Sequence, residues 1–224
     1  MYLGLDLGTS GVKALLIDER QAVIGSANGA LDISRPHPGW SEQDPAHWIR
    51  ATGDAVDALQ AAHPQALAAV KGIGLSGQMH GATLLGAADE VLRPCILWND
   101  TRSFLEAAAL DADPRFRAVT GNIVFPGFTA PKLVWVRKNE PGIFAKVRKV
   151  LLPKDYLRLW LTGEHISEMS DASGTAWLDV AARRWSDELL RATELDESHM
   201  PSLVEGTDRA GVLRPELAAR WGIG

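Results

Sequence analysis

The sequence predicts an α/β fold in which helices flank a mixed β-sheet. Three observations carry this reading. Three strand-like segments open the chain, and their short connections favour antiparallel neighbours. A long amphipathic helix with a clear start signal follows them. Another strand-like run comes after that helix, which makes a strand–helix–strand unit near the middle of the chain.

The opening strands are expected at Tyr2 to Leu7, Val12 to Asp18 and Ala22 to Ala27. Pro36, Pro38, Gly39 and Trp40 mark Ser34 to Asp44 as an ordered loop. Asp44-Pro45 pairs an N-cap with proline at the first helical position. The helix it opens should run to about Ala62, with Trp48, Ile49, Thr52, Ala55, Val56 and Leu59 on its packed face. Val70 to Leu75 reads as a buried strand. Ala82 to Leu85, Val91 and Ile96 to Trp98 resume strand character. From there to Gly163 the chain reads as mostly helical, broken by loops around Asp113-Pro114 and Thr120 to Phe128. A further helix should start near Ser186, and a short last one should follow Pro215. No internal repeat, low-complexity tract or flexible linker interrupts the chain.

The 224 residues are enough for one large domain or two small ones. With 46% hydrophobic residues and a mean hydropathy of −0.05, the composition is that of a soluble globular protein. A net charge of −5 argues against a general nucleic-acid or anionic-membrane surface. No run is long enough to span a bilayer. The chain opens on strand-like residues without a leader, and one cysteine fits a reducing compartment, so the expected location is the cytoplasm. Cys95 lies in an apolar run and is expected to be a buried structural thiol.

Asp6-Leu-Gly-Thr-Ser-Gly-Val-Lys13 is the segment richest in chemistry. It joins two strands through a turn in which Gly8 and Gly11 allow close backbone approach to a ligand. Successive amides in such a turn can form an anion site. Thr9 and Ser10 add donors, Lys13 adds positive charge, and Asp6 could hold a hydrated Mg²⁺. The turn suggests nucleotide phosphate binding, and by itself it equally suits a plain hairpin. The Walker-A spacing fails, because a strand rather than a helix follows Lys13. Gly72-Ile-Gly-Leu-Ser-Gly77 matches a dinucleotide fingerprint by letter, yet the residues after it do not open a helix.

Two strand ends carry polar clusters. Gln78, Met79 and His80 follow one, and their hydrogen-bonding groups suit a polyhydroxylated ligand. Trp98, Asn99 and Asp100 follow another, where an aromatic face could stack on a sugar while the polar pair binds hydroxyls. The alternative there is that Asn99 or Asp100 caps a helix running from Arg102 to Leu110. Most of the eight tryptophans are expected in the core, Trp135 and Trp160 among them. The six histidines show no metal-ligand spacing, and no serine-hydrolase elbow is present.

Taken together, these segments resemble the FGGY carbohydrate kinases of the actin-like, ribonuclease H-like ATPase superfamily. Asp6 to Lys13 is similar to that family's first phosphate motif. Ser34 to Asp44, Gly77 to Gly81, Ile96 to Asp100, Pro126 to Lys132, Leu152 to Tyr156 and Ser170 to Thr175 are similar to its bacterial xylulokinase branch. The resemblance covers essentially the whole chain. It implies a ribonuclease H-like domain with ATP and Mg²⁺ at Asp6, Gly8, Thr9, Ser10, Gly11 and Lys13. It implies D-xylulose at Met79 and His80, with Gln78, Trp98, Asn99 and Asp100 as further sugar-pocket candidates. The reaction implied is transfer of the ATP γ-phosphoryl group to the 5-hydroxyl of D-xylulose. The family's catalytic aspartate stands in a Gly-Gly-Asp-type motif of a second domain, and that motif does not occur in these 224 residues. The expectation is therefore one amino-terminal domain over residues 1–224, inactive by itself, whose partner is its own carboxy-terminal domain. A homodimer is a further expectation from the family. Two alternatives stand beside this one: the same domain of a ribulokinase or gluconokinase, and a non-catalytic sugar-binding or regulatory module.

Overall fold

The computed structural model describes residues 1–224. The chain opens with strands β1 (Tyr2–Leu7), β2 (Gly11–Ile17) and β3 (Val23–Ala30), which form an antiparallel meander. β4 (Glu42–Gln43) is a two-residue strand inside the loop expected over 34–44. Helix α1 (Pro45–Ala62) follows, with the Asp44 carboxylate accepting from the Ala46 amide and Pro45 in the first turn. Its buried face holds Trp48, Thr52, Ala55, Val56 and Leu59, and the Thr52 hydroxyl donates to the Trp48 carbonyl at 2.8 Å. A short α2 (Pro64–Ala68) leads to β5 (Gly72–Gly77), which lies parallel to β1. The sheet order is β3-β2-β1-β5, the mixed sheet the sequence predicts.

The strand expected to be buried at 70–75 departs from that reading. It runs from Gly72 to Gly77, and its residues are half-buried or exposed. β5 is the outer strand of the sheet, with β1 on one side only. Its glycines lie within the strand rather than in a turn opening a helix, so the dinucleotide reading fails. A 760 Å³ groove runs beside it, with Ile73, Leu75, Leu161, Leu213 and Ile223 among its apolar walls.

The middle of the chain builds a second unit. β6 (Thr83–Leu85) and β7 (Cys95–Ile96) precede α3 (Phe104–Asp111), α4 (Pro114–Thr120), α5 (Thr129–Asn139) and α6 (Pro141–Phe144). The break expected around Asp113-Pro114 separates α3 from α4, and there Asp113-Pro114 repeats the Asp44-Pro45 device to start the second helix. β8 (Lys149–Leu151) pairs antiparallel with β6 inside a stretch expected to be helical. Then follow α7 (Pro153–Thr162), β9 (Ile166–Glu168) and α8 (Met169–Ala172), which runs into a 3₁₀ turn at Ser173–Thr175. β10 (Leu178–Asp179), β11 (Arg184–Trp185), α9 (Asp187–Ala192), β12 (Ser202–Val204) and α10 (Pro215–Trp221) complete the chain.

Two large hydrophobic cores result, beside a small cluster of Leu85, Leu151 and Leu159. One packs Leu3, Leu5, Leu7, Val12, Ala14 and Leu16 against Trp48, Val56, Leu157 and Trp221. The other gathers Leu84, Phe116, Phe128, Leu133, Trp177 and Leu189. Trp48, Trp177 and Trp221 are fully buried, whereas Trp135 and Trp160, expected in the core, are half-buried at its margins. Cys95 is buried, and desolvation pushes its thiol up to about 12, as a structural cysteine requires. No helix is long and apolar enough to cross a membrane.

Candidate active site

The open face of the sheet carries the first group of candidates. Side chains alternate along β1 and β2, so Leu5 and Leu7 pack inward while Asp6 points out. Register sets Lys13 of β2 and Ser76 of β5 on either side of Asp6. The Ser76 hydroxyl donates to the Asp6 carboxylate at 2.7 Å, which fixes that carboxylate at the strand end. Asp6 and Lys13 are both exposed.

The turn between β1 and β2 is closed by the Gly8 amide donating to the Gly11 carbonyl at 3.0 Å. No acceptor in the protein takes the amides of Thr9 and Ser10, which leaves two adjacent donors at the turn. Glycine is required at 11 by space, because a Cβ there would lie 2.7 Å from the Gly29 carbonyl oxygen. Gln43 of β4 holds this turn from behind. Its Nε2 donates to the Thr9 carbonyl at 2.7 Å and the Asp32 carbonyl at 3.1 Å. Its Oε1 accepts from Trp48 Nε1 and Gln78 Nε2. Gln43 stands inside a loop that the sequence marks only as a rim and a helix cap.

The second group follows β5. Gln78 is buried and spends its Nε2 on Gln43, so its side chain supports the β1–β2 turn rather than lining the cleft. Met79 is 53% exposed. His80 has a left-handed backbone, φ 65°, a conformation that costs roughly 1–3 kcal/mol in a non-glycine residue. Phe128 and Phe125 meet its ring edge-on, with centroids 4.8 and 6.1 Å away. Burial pushes the His80 imidazole down to about 4; the nearby Lys132 cation adds to the shift, and the Gly174 backbone opposes it. A neutral imidazole therefore faces the cleft at ordinary pH.

That cleft has a volume of about 600 Å³ and is lined by Ser76, Met79, His80, Phe125, Lys154 and Asp171, among others. Lys154 lies 2.8 Å from Asp155 and 3.2 Å from Asp171, all three buried or nearly so. Burial raises the Asp171 carboxyl to about 6, while Lys154 holds it back and Asp155 pushes it further up. The cleft thus joins the Asp6–Ser76 pair to the Met79–His80 pair through β5, and it adds Lys154 and Asp171, to which sequence reasoning gave no role. Their signal was the two motif segments containing them, which carried a resemblance but no stated chemistry.

The third group divides. Trp98 is 45% exposed, and its Nε1 donates to the Thr9 hydroxyl at 3.0 Å, so it borders the β1–β2 turn. Asn99 is exposed beside it. Asp100 is 1% exposed and belongs to neither proposed arrangement. Its carboxylate accepts from the Ser41 amide at 2.6 Å and from the Arg102 amide, Nε and Nη2 at 2.9, 2.9 and 2.7 Å. Arg102 pairs in turn with Glu42 at 2.7 Å and stacks on Trp40 at 3.6 Å from the ring centroid. Asp100 has no oxygen left for a sugar hydroxyl, and the helix expected from Arg102 begins instead at Phe104. The carboxylate that looked like a sugar ligand is the centre of a buried ion pair.

No group of three or more His, Cys, Asp or Glu side chains is placed to hold a metal. A Mg²⁺ at Asp6 would accordingly take one protein carboxylate and complete its shell with water and phosphate oxygens, a usual arrangement for that ion.

The sequence pattern of the FGGY family of carbohydrate kinases, N-terminal domain, matches residues 1–224. The chain is 55% identical to the xylulose kinase of Escherichia coli (strain K12) over 224 residues, all of this chain and 46% of that protein. It is 57% identical to the xylulose kinase of Klebsiella pneumoniae over the same share of each. The crystal structure of a xyloylose kinase from Brucella ovis superposes on all of this chain and 46% of its own, with a TM-score of 0.99 and 73% identity. The chain therefore spans about half the length of the relatives it matches.

Proposed function

The chain belongs to the FGGY family of carbohydrate kinases, and we propose that it forms the sugar-binding and phosphate-facing wall of an ATP-dependent xylulokinase. The observation that supports this most is the single cleft shared by Ser76, which holds Asp6, and by Met79 and His80. A kinase must bring an acceptor hydroxyl and a phosphate chain within reach of each other, and β5 links groups suited to each.

In this reading the Thr9 and Ser10 amides and Lys13 bind the phosphates of ATP. Asp6, oriented by Ser76, faces the same region and holds a hydrated Mg²⁺. When bound, that ion neutralises phosphate charge. Met79 packs on the carbon skeleton of D-xylulose. Neutral His80 exchanges hydrogen bonds with its hydroxyls, and Trp98 borders the pocket from the phosphate side. Positioning and charge neutralisation are most of what phosphoryl transfer needs from a protein. The base that takes the hydroxyl proton is assigned to a carboxy-terminal domain, which closes on this one and excludes water. Residues 1–224 are read as one amino-terminal domain, with the free edge of β5 and its groove on the side available to further chain.

Calorimetry with D-xylulose, L-ribulose and D-gluconate tests the substrate assignment. D-Xylulose should bind most tightly, and His80→Ala should weaken it roughly tenfold or more, the worth of one or two hydrogen bonds to a buried group. Tighter binding of gluconate or ribulose would move the assignment to another sugar kinase of the family.

A further inference from the structure

Lys132 is the most deeply buried cation in the chain, 0% exposed, and it makes no salt bridge. A buried ammonium without a carboxylate partner is costly unless hydrogen bonds replace its water. Here they do. Lys132 Nζ donates to the His80 and Phe128 carbonyls at 3.1 Å each, and to the Gly127 carbonyl. Three acceptors match the three protons of an ammonium group. Desolvation pushes this amine down to about 7; Cys95 and Asp100 oppose the shift, and the Arg102 cation adds to it.

The choice of carbonyls is informative. Gly127 and Phe128 belong to the entry of α5, while His80 belongs to the turn after β5. The side chain therefore ties that turn to the segment entering α5, which supplies the aromatic wall of Phe125 and Phe128. The Thr129 hydroxyl donates to the same His80 carbonyl at 3.1 Å. His80 is one of only six non-glycine residues with positive φ, so its peptide must be held against a local preference. On the far side, Gly174 leaves room for the ring: a Cβ there would come within 2.2 Å of His80 Cε1 and 2.3 Å of Nδ1.

We infer that Lys132 is a positioning residue, which with Thr129 clamps the His80 carbonyl so that the imidazole projects into the cleft against Gly174. It does not line the cleft and touches no ligand there. The inference rests on the sugar-pocket reading only for the identity of the ligand.

The test uses the 224-residue chain and two measurements, the His80 ring resonances by NMR without ligand and D-xylulose affinity by calorimetry. Lys132→Met keeps the length and removes the donors. It should shift the His80 ring signals and weaken D-xylulose binding roughly tenfold or more, since a small misplacement of a binding group is expensive. Thr129→Val, which leaves the cation in place, should shift the same signals less. Gly174→Ala should displace them with Lys132 intact. A residue that only fills the core would lower Tm without moving the ring. Unchanged His80 signals in folded Lys132→Met, or in Thr129→Val if the first variant does not fold, overturn the inference. Should the wild-type chain bind no D-xylulose, the substrate assignment fails, and the ring signals still decide the role of Lys132.

Discussion

Asp100 shows how residue type and residue role separate. An acidic side chain after an aromatic strand end suits a sugar hydroxyl, and one next to a helix start suits a cap. Arg102, two residues on, defeats both by occupying the carboxylate from three donors. Asp100→Ala would leave Arg102 with Glu42 as its only carboxylate partner in a buried setting. It should lower unfolding stability by roughly 3–5 kcal/mol in a denaturant titration. D-Xylulose affinity of the folded protein should change little; a large affinity loss with unchanged stability would return Asp100 to the sugar pocket. His80 gives the complementary case. Its imidazole is held down to about 4, below the ordinary value of 6.5. The chain therefore keeps this contribution to stability above about pH 6.5 and loses it as pH falls through about 4. An NMR titration should find His80 neutral at pH 6, and an ordinary histidine titration would contradict the buried site. The sequence carried His80 as a candidate because it follows a strand end. It did not carry the strain at φ 65°, the cation behind it or the glycine beside it, because those arise from α5 and the 3₁₀ turn far along the chain.

At the scale of elements, local chemistry was legible where one device decides the outcome. Asp44-Pro45 fixed the start of α1 to the residue, and Ser186 caps α9 where expected. Asp44→Ala should cost about 1 kcal/mol in thermal or denaturant unfolding through the lost cap; no loss would mean that Pro45 and packing define the start unaided. Elements defined by distant partners were not legible. β4 has two residues and exists only because Glu42 and Gln43 pair with Ile96 and Cys95. β8 has three and depends on β6. β5 is legible as a strand, but it lies two residues beyond the expected 70–75 and is half-exposed, because glycine-rich apolar text does not say which neighbours a strand has. Its true place at the sheet edge matters to the site. It lets Ser76 reach Asp6 across the register and delivers Met79 and His80 to the cleft mouth.

For the whole molecule, two cores flank one cleft. The sheet core carries Asp6, Lys13 and the glycine turn, and the helical core carries Phe128, Lys132 and the Gly174 turn. The ribonuclease H-like reading came from motifs spread along the chain, and the FGGY family match covers the same residues. The most direct measurement of the proposed function is a hybrid enzyme. Joining these 224 residues to the remaining part of the Escherichia coli xylulose kinase, with which they share 55% identity, should give ATP- and Mg²⁺-dependent phosphorylation of D-xylulose. Asp6→Ala in that hybrid should reduce kcat by roughly two orders of magnitude or more, the usual scale for losing a preorganised electrostatic group. A folded hybrid that phosphorylates another sugar in preference to D-xylulose, or keeps full activity without Asp6, would contradict the account.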